Sequence, residues 1–312
     1  MVFHPLSIHV VALLVPASIF GTLARLGLTA LARYQGNSIF PLAYAQGLGC
    51  LIMGFAVGLK DPFSTFYPPL FTAVTTGFCG SLTTFSGWQV DIFDSWINAG
   101  QYYHGGLRNF LDGLGKSVFT LSISLASVSF GMQLAAAVRP YLPAIPPPPR
   151  LLRYAITIIS ILFYGAVFPI FFVMDSSYRH QATAALLFAS PGTITRYLLS
   201  VHLNTMLNSM PLGTFSANMI GTALLGGFNV LQKKVVPVSS YACGVLQGLN
   251  DGYCGCLTTV STFAVEIRGL GFWKGSRYAV ISWGVAQLLL LLILGPSLWT
   301  GHSRGQITCT FV

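Results

Sequence analysis

Residues 77–91 read GFCGSLTTFSGWQVD, and residues 252–266 read GYCGCLTTVSTFAVE. The two stretches are copies of one motif. Glycines hold paired positions, a Thr-Thr doublet follows, and then come a serine, an aromatic and a closing acid. Glycine, threonine and serine are weak helix formers, yet both copies lie inside long apolar runs. A Gly- and Thr-rich interruption of an apolar segment, present twice, is the pattern of a broken membrane helix in a duplicated transporter or channel.

Composition points the same way. The 312 residues are 54% hydrophobic and only 7% charged, where a soluble domain carries about a quarter charged residues. So little charge cannot dress a water-facing surface, and the bilayer is the natural solvent. The net charge of +9 is spread thinly, with no basic block beyond Lys233-Lys234. Nucleic-acid binding would need clustered Lys and Arg, so the excess reads as loop charge at a membrane surface. The six cysteines (Cys50, Cys79, Cys243, Cys254, Cys256, Cys309) fall mostly within apolar segments. They show neither zinc-finger spacing nor a disulfide framework, and they read as small packing residues. No Lys or Arg precedes Arg25. The first apolar segment therefore lacks the basic start of a secretory signal and reads as a retained span.

Apolar runs of about 20 residues mark spans. They lie near 7–33, 39–59, 71–97 (interrupted by the first motif) and 114–138. Residues 140–150 contain Pro146-Pro147-Pro148-Pro149, a stiff extended connector. An unpaired span follows near 152–174. Four more, near 182–203, 212–231, 238–267 and 278–298, repeat the first four, and the second motif again interrupts the third. Gly21-Thr22-Leu23-Ala24-Arg25 parallels Gly192-Thr193-Ile194-Thr195-Arg196. Ala45-Gln46-Gly47-Leu48-Gly49 parallels Ala217-Asn218-Met219-Ile220-Gly221.

The expected fold is an all-α integral membrane protein of nine transmembrane helices. Residues 1–139 form the first four-helix repeat, 140–177 the connector and linking helix, and 178–312 the second repeat. Four helices return the chain to its starting side, so one extra crossing turns the second repeat over. Two halves in opposite orientation form an inverted pair about an axis in the membrane plane. Orientation is not readable. Seven Lys or Arg flank the spans on one side and seven on the other, and the positive-inside rule needs an asymmetry.

In the first motif Gly80, Thr83, Thr84 and Ser86 weaken the helix, and an unwound stretch frees carbonyl oxygens at mid-membrane depth. Two inverted copies would bring two such breaks together, where a ring of carbonyls suits a desolvated monovalent cation. The same small residues would equally serve close helix packing.

The pattern G-[FY]-C-G-x-L-T-T-x-S-x-[FW] resembles the hallmark of the fluoride channel (fluoride exporter) family, G-F-x-G-G-x-T-T-F-S-T-F. The G-T-x-x-R of the first helix and the A-N-x-x-G at Ala217–Gly221 match it too. The resemblance spans both halves, and a fused two-repeat chain with a linking helix looks like the eukaryotic form. It implies a structural Na+ ion held by the backbone carbonyls of Gly80, Thr83, Gly255 and Thr258. Ser81 and Cys256 depart from the family's second glycine. It also implies that the two aromatics of the box line the fluoride paths, each path taking the first aromatic from one half and the second from the other. A ring edge is positive, so it can receive a small anion without a formal charge that would trap it.

On that pattern one path pairs Phe85 with Phe263. The other pairs Val260 with Trp88, one aromatic lost and one enlarged, and only the first is expected to conduct. The family's second-helix amide is Asn218 in one repeat and Gln46 in the other, with Asn218 the stronger candidate. Hydroxyls on the fourth helices (Thr120, Ser122, Ser124, Ser282) would continue a polar track. Arg25 and Arg196 read as helix-end residues snorkelling to an interface. Asp91 and Glu266 read as interface charges far apart. His4, His9, His104, His180, His202 and His302 have no ligand spacing, and no Walker loop, nucleophile elbow or metalloprotease motif is present.

The implied function is a passive channel that carries fluoride out across the plasma membrane, driven by a potential negative inside. A multi-pass protein with both repeats on one chain would work as a monomer in the lipid bilayer. The rival reading is an ion-coupled secondary transporter for another small anion, which inverted repeats fit equally well. An integral-membrane enzyme is disfavoured, because the spans hold no convergent set of titratable groups.

Overall fold

The computed structural model describes residues 3–36, 39–103, 105–143, 145–175, 178–236 and 238–311. His104 and the 177/178 boundary of the connector fall at or beyond those limits. Among the described residues every named element is helical, and one isolated β-bridge joins Lys234 to Ser303. Helices α1 (Ile8–Leu31), α7 (Gly106–Val138), α8 (Arg150–Val173) and α14 (Phe272–Trp299) are long and apolar enough to cross a membrane. Helices α2 (Leu42–Gly58) and α3 (Lys60–Phe66) qualify together but bend by 67°. α9 (Ala184–Leu203) and α10 (Leu212–Gln232) supply two further long helices.

The expected broken spans consist of short pieces. In the first repeat they are α4 (Pro68–Thr72), a π-helical stretch Ala73–Cys79, α5 (Gly80–Leu82) and α6 (Phe85–Trp96). In the second they are α11 (Ser240–Gly248), a π-helical stretch Leu249–Cys254, α12 (Gly255–Leu257) and α13 (Ser261–Leu270). α8 turns Ile158, Ile159, Leu162, Phe172 and Val173 outward, an apolar skin that suits lipid.

Why the chain breaks where it does is visible in the dihedrals. α5 stops at Leu82 because Thr83 is extended (φ −99°, ψ 149°), and α12 stops at Leu257 because Thr258 is extended (φ −97°, ψ 151°). Close packing then explains the paired glycines. A Cβ on Gly21 would lie 2.5 Å from the Phe78 carbonyl, and one on Gly192 2.4 Å from the Tyr253 carbonyl. A Cβ on Gly49 would lie 2.4 Å from Thr83 Cγ2, and one on Gly221 2.3 Å from Thr258 Cγ2. Any larger residue would push the first and second helices of each repeat off its break.

One reading of the cysteines is corrected. Cys243 and Cys309 form a disulfide, while Cys50, Cys79, Cys254 and Cys256 are free and buried as packing residues. Their spacing of 66 residues carries no framework signal; only the return of the chain end to the start of α11 brings them together.

Candidate functional site

The Thr-Thr doublets build the centre of the molecule. Each doublet has a division of labour. The second threonine caps its own helix: Thr84 Oγ1 accepts from Gly87 N at 3.3 Å, and Thr259 Oγ1 from Thr262 N at 3.5 Å. The first caps the helix of the other repeat: Thr83 Oγ1 accepts from Ser261 N, and Thr258 Oγ1 from Ser86 N, both at 3.1 Å. These are the orphan donors that any helix start must satisfy. The hydroxyls also meet one another, Thr83 with Thr259 at 3.2 Å and Thr84 with Thr258 at 3.0 Å. Ser81 meets Thr193 at 2.8 Å, and its counterpart Cys256 meets Thr22 at 3.0 Å.

Two buried arginines complete this centre, and the snorkelling expectation is overturned. Arg25 and Arg196 are 3% and 2% exposed. Arg25 Nη1 donates to the carbonyls of Ser81 (2.8 Å) and Gly255 (2.7 Å), and Nη2 to that of Asp251. Arg196 donates from Nε to the Cys256 carbonyl and from Nη2 to the Thr76 carbonyl, both at 2.8 Å. Each guanidinium therefore bonds backbone of both repeats, at matched positions. Breaking a helix orphans carbonyls, and five donors in a rigid fork meet that need better than any other side chain. An intramembrane arginine is costly unless it finds such partners. The matched G-T-x-x-R carries the sequence signal, but nothing local to it shows the carbonyls that the arginines serve.

The four box residues pack in one apolar cluster and are all buried: Phe85, Trp88, Val260 and Phe263. Phe85 and Phe263 meet edge to face, with ring centroids 5.4 Å apart at 75°. Phe85 meets Trp88 at 5.4 Å and Phe263 meets Tyr278 at 4.9 Å. The Trp88 indole N–H is already used on the Lys116 carbonyl. A cavity of about 220 Å³ borders Trp88, Phe263, Ser117 and Trp283.

The second-helix amides hold the breaks. Gln46 donates to the Thr84 carbonyl at 2.7 Å and leaves its Oε1 without a partner. Asn218 accepts from Thr259 N at 2.9 Å and donates to the Thr259 carbonyl at 3.3 Å. Among the described residues the buried Thr120 and Ser282 hydroxyls have no hydrogen-bond partner, and the buried Ser124 hydroxyl lies against the Cys50 thiol; Ser122 is exposed and leaves the track. Also missed from sequence was a buried amide pair, in which Gln287 Nε2 donates to Gln89 Oε1 at 2.8 Å.

The closing acids have diverged. Glu266 accepts from Thr214 (2.6 Å), Tyr278 (3.1 Å) and Asn204 (3.4 Å). Asp91 instead lines a cavity of about 700 Å³ that runs from Arg33, His180 and Asp251 down to Arg25 and Thr84. Asp91 and Glu266 are thus site-lining and anchored, respectively, rather than plain interface charges.

The carbonyls of Thr83 and Thr258 accept no hydrogen bond among the described residues. These are two matched oxygens, one at each break, left able to take a donor or a cation. Gly255 is already engaged by Arg25, and a Cβ on Gly80 would lie 2.3 Å from Arg196 Nη1. Among the described residues no group of three His, Cys, Asp or Glu gathers as a metal site.

Residues 12–132 and 183–295 each match one family, CrcB-like protein, Camphor Resistance (CrcB). The chain belongs to the CrcB-like family. Among CrcB-like relatives, fluoride export protein 1 of Candida albicans is 32% identical over 96% of this chain and 81% of its own length. Fluoride export protein 1 of Neurospora crassa is 32% identical over 97% of this chain and 69% of its own. The fluoride-specific ion channel FluC of Chromobacterium violaceum matches 36% of this chain and 87% of its own length at 32% identity. No solved structure matches the chain.

Proposed function

We propose that this protein is a fluoride channel of the plasma membrane, working as a single chain with the two repeats inverted and nine crossings. The similarity to fluoride export proteins over nearly the whole chain carries the reading. The reciprocal contacts of the two breaks support it, since the threonine caps, the Ser81–Thr193 and Cys256–Thr22 contacts and the arginine bonds to Ser81 and Cys256 recur in both repeats. Fluoride passes the edge-to-face pair Phe85 and Phe263, whose ring edges offer positive potential in a dry setting. The buried hydroxyls of Thr120, Ser124 and Ser282 and the amides of Asn218 and Gln46 are the polar groups we assign to that path. Trp88 and Val260 leave the second path degenerate. Purified protein in liposomes is expected to pass fluoride and not chloride under a potential, without a proton or sodium gradient. Chloride efflux at a similar rate, or flux that stops when such a gradient is removed, sinks the proposal.

A sodium ion at the Thr83 and Thr258 carbonyls, with Gly80 and Gly255 beside them, would supply one positive charge that holds the two breaks together. Replacing Na+ by N-methylglucamine should then lower the thermal unfolding midpoint in detergent by several degrees, about 1 kcal/mol or more. An unchanged midpoint removes the ion from the centre.

A further inference from the structure

The chain turns back at the foot of α14, where Gly301 takes φ 72°, and residues 302–311 run as a strap. Its first part is laid against the α10–α11 loop. Val235 N donates to the His302 carbonyl (3.1 Å), Arg304 N to the Lys233 carbonyl (2.7 Å) and Thr308 N to the Gln232 carbonyl (3.0 Å). Beyond Thr308 the attachments among the described residues are few. They are the Cys243–Cys309 disulfide, a Ser240–Thr310 hydroxyl contact at 3.3 Å, and Phe311 stacked on His180 at 4.5 Å. Ile307 and Phe311 form part of the wall of the 700 Å³ cavity whose depths reach Arg25 and Thr84. The strap thus forms part of the vestibule wall, and beyond Thr308 one covalent bond fixes it.

We propose that residues 309–311 are a redox-releasable flap on the wall of this vestibule, on the side of the membrane that faces the oxidising exterior. Disulfides persist in oxidising compartments and are rare in the cytosol. The bond therefore decides the orientation that the balanced charges leave open, and it places this vestibule at the exit. Reduction by a dithiol splits the Cys243–Cys309 bond, sends two hydrogens to the two sulfurs, and closes the dithiol to its own cyclic disulfide. Residues 309–311 then retain only a ring stack and one hydroxyl contact, and they can leave the vestibule wall while residues 302–308 stay bonded to the α10–α11 loop.

The proposal rests on the fluoride-channel reading, and the test separates the two. Fluoride efflux is measured from liposomes holding the full chain, before and after dithiothreitol. Reduction is expected to raise the rate by about twofold or more. C309S should show the raised rate without reductant and no further response. F311A keeps the disulfide and removes the stack, so it should raise the rate in part, which guards against misfolding of C309S. Fluoride flux that is present but unchanged by reduction and by F311A overturns the flap alone. Absence of fluoride flux from wild type overturns the channel reading and the flap with it. On intact cells, an impermeant thiol reagent applied after an impermeant reductant should label the chain, because the four free cysteines are buried. Labelling seen only after lysis places the strap inside and overturns the orientation.

Discussion

Phe85→Ala and Phe263→Ala should each cut fluoride efflux by about tenfold or more, at least about 1.4 kcal/mol of barrier. Trp88→Ala and Val260→Ala should change it by less than about twofold, well under 1 kcal/mol. The asymmetry follows from what each ring can still offer. Phe85 and Phe263 carry no polar atoms, are fully enclosed, and pack the edge of one ring on the face of the other. Fluoride is small and strongly hydrated, so water lost on entering a dry site must be replaced by directed positive edges and hydroxyl or amide donors. Trp88 has its N–H committed to the Lys116 carbonyl, and Val260 has no ring to turn. Alanine also leaves a cavity, which costs about 3–5 kcal/mol for a buried Phe. Phe85→Leu and Phe263→Leu keep most of the volume and separate the two effects. If the leucine variants fold and conduct like wild type, the ring quadrupole has no part in the pathway.

Much of this was legible before any coordinates. The duplicated motif located both breaks to within a few residues, because glycine, threonine and serine together weaken a helix; the dihedrals place them at Thr83 and Thr258. Gly21, Gly49, Gly192 and Gly221 stood out as matched glycines, and each proves to be a contact point on a break. What the sequence hid were the relationships that depend on the second copy. Nothing local says that Thr83 caps α13 and Thr258 caps α6, since each partner lies more than 170 residues away. Arg25 and Arg196 were misread for the same reason. A lone arginine in an apolar run looks like a snorkelling group until the carbonyls freed by a distant break are placed around it. Cys243 and Cys309 join only because the strap folds back, and no spacing rule anticipates that. The divergence of Asp91 from Glu266 was visible as a change of residue, but only geometry shows one lining a cavity and the other held by three donors.

Arg25→Met and Arg196→Met should be the most destabilising substitutions on the first helices of the two repeats, and Arg25→Met the worse. Each leaves buried carbonyls without donors, at about 1–3 kcal/mol per group. Arg25 serves the Ser81, Gly255 and Asp251 carbonyls, whereas Arg196 serves those of Cys256 and Thr76. Losses of this size, added over two or three acceptors, rival the whole stability of a typical domain. Lysine should not rescue either position. Its ammonium is a single point of donors on a flexible stem and cannot span two breaks as a planar fork does. Arg33, exposed at the mouth of the large cavity, supplies the control: Arg33→Met should leave the unfolding midpoint where it was. The measurement is thermal unfolding in detergent at constant sodium, with both lysine variants alongside. A carbonyl centre that needs only a positive charge, from whatever source, would let Arg25→Lys or added sodium restore the midpoint. A centre that needs the fork would not, because the orphaned oxygens on the two repeats lie in different directions from any one cation, and it is their joint satisfaction by one rigid group that holds the two breaks face to face.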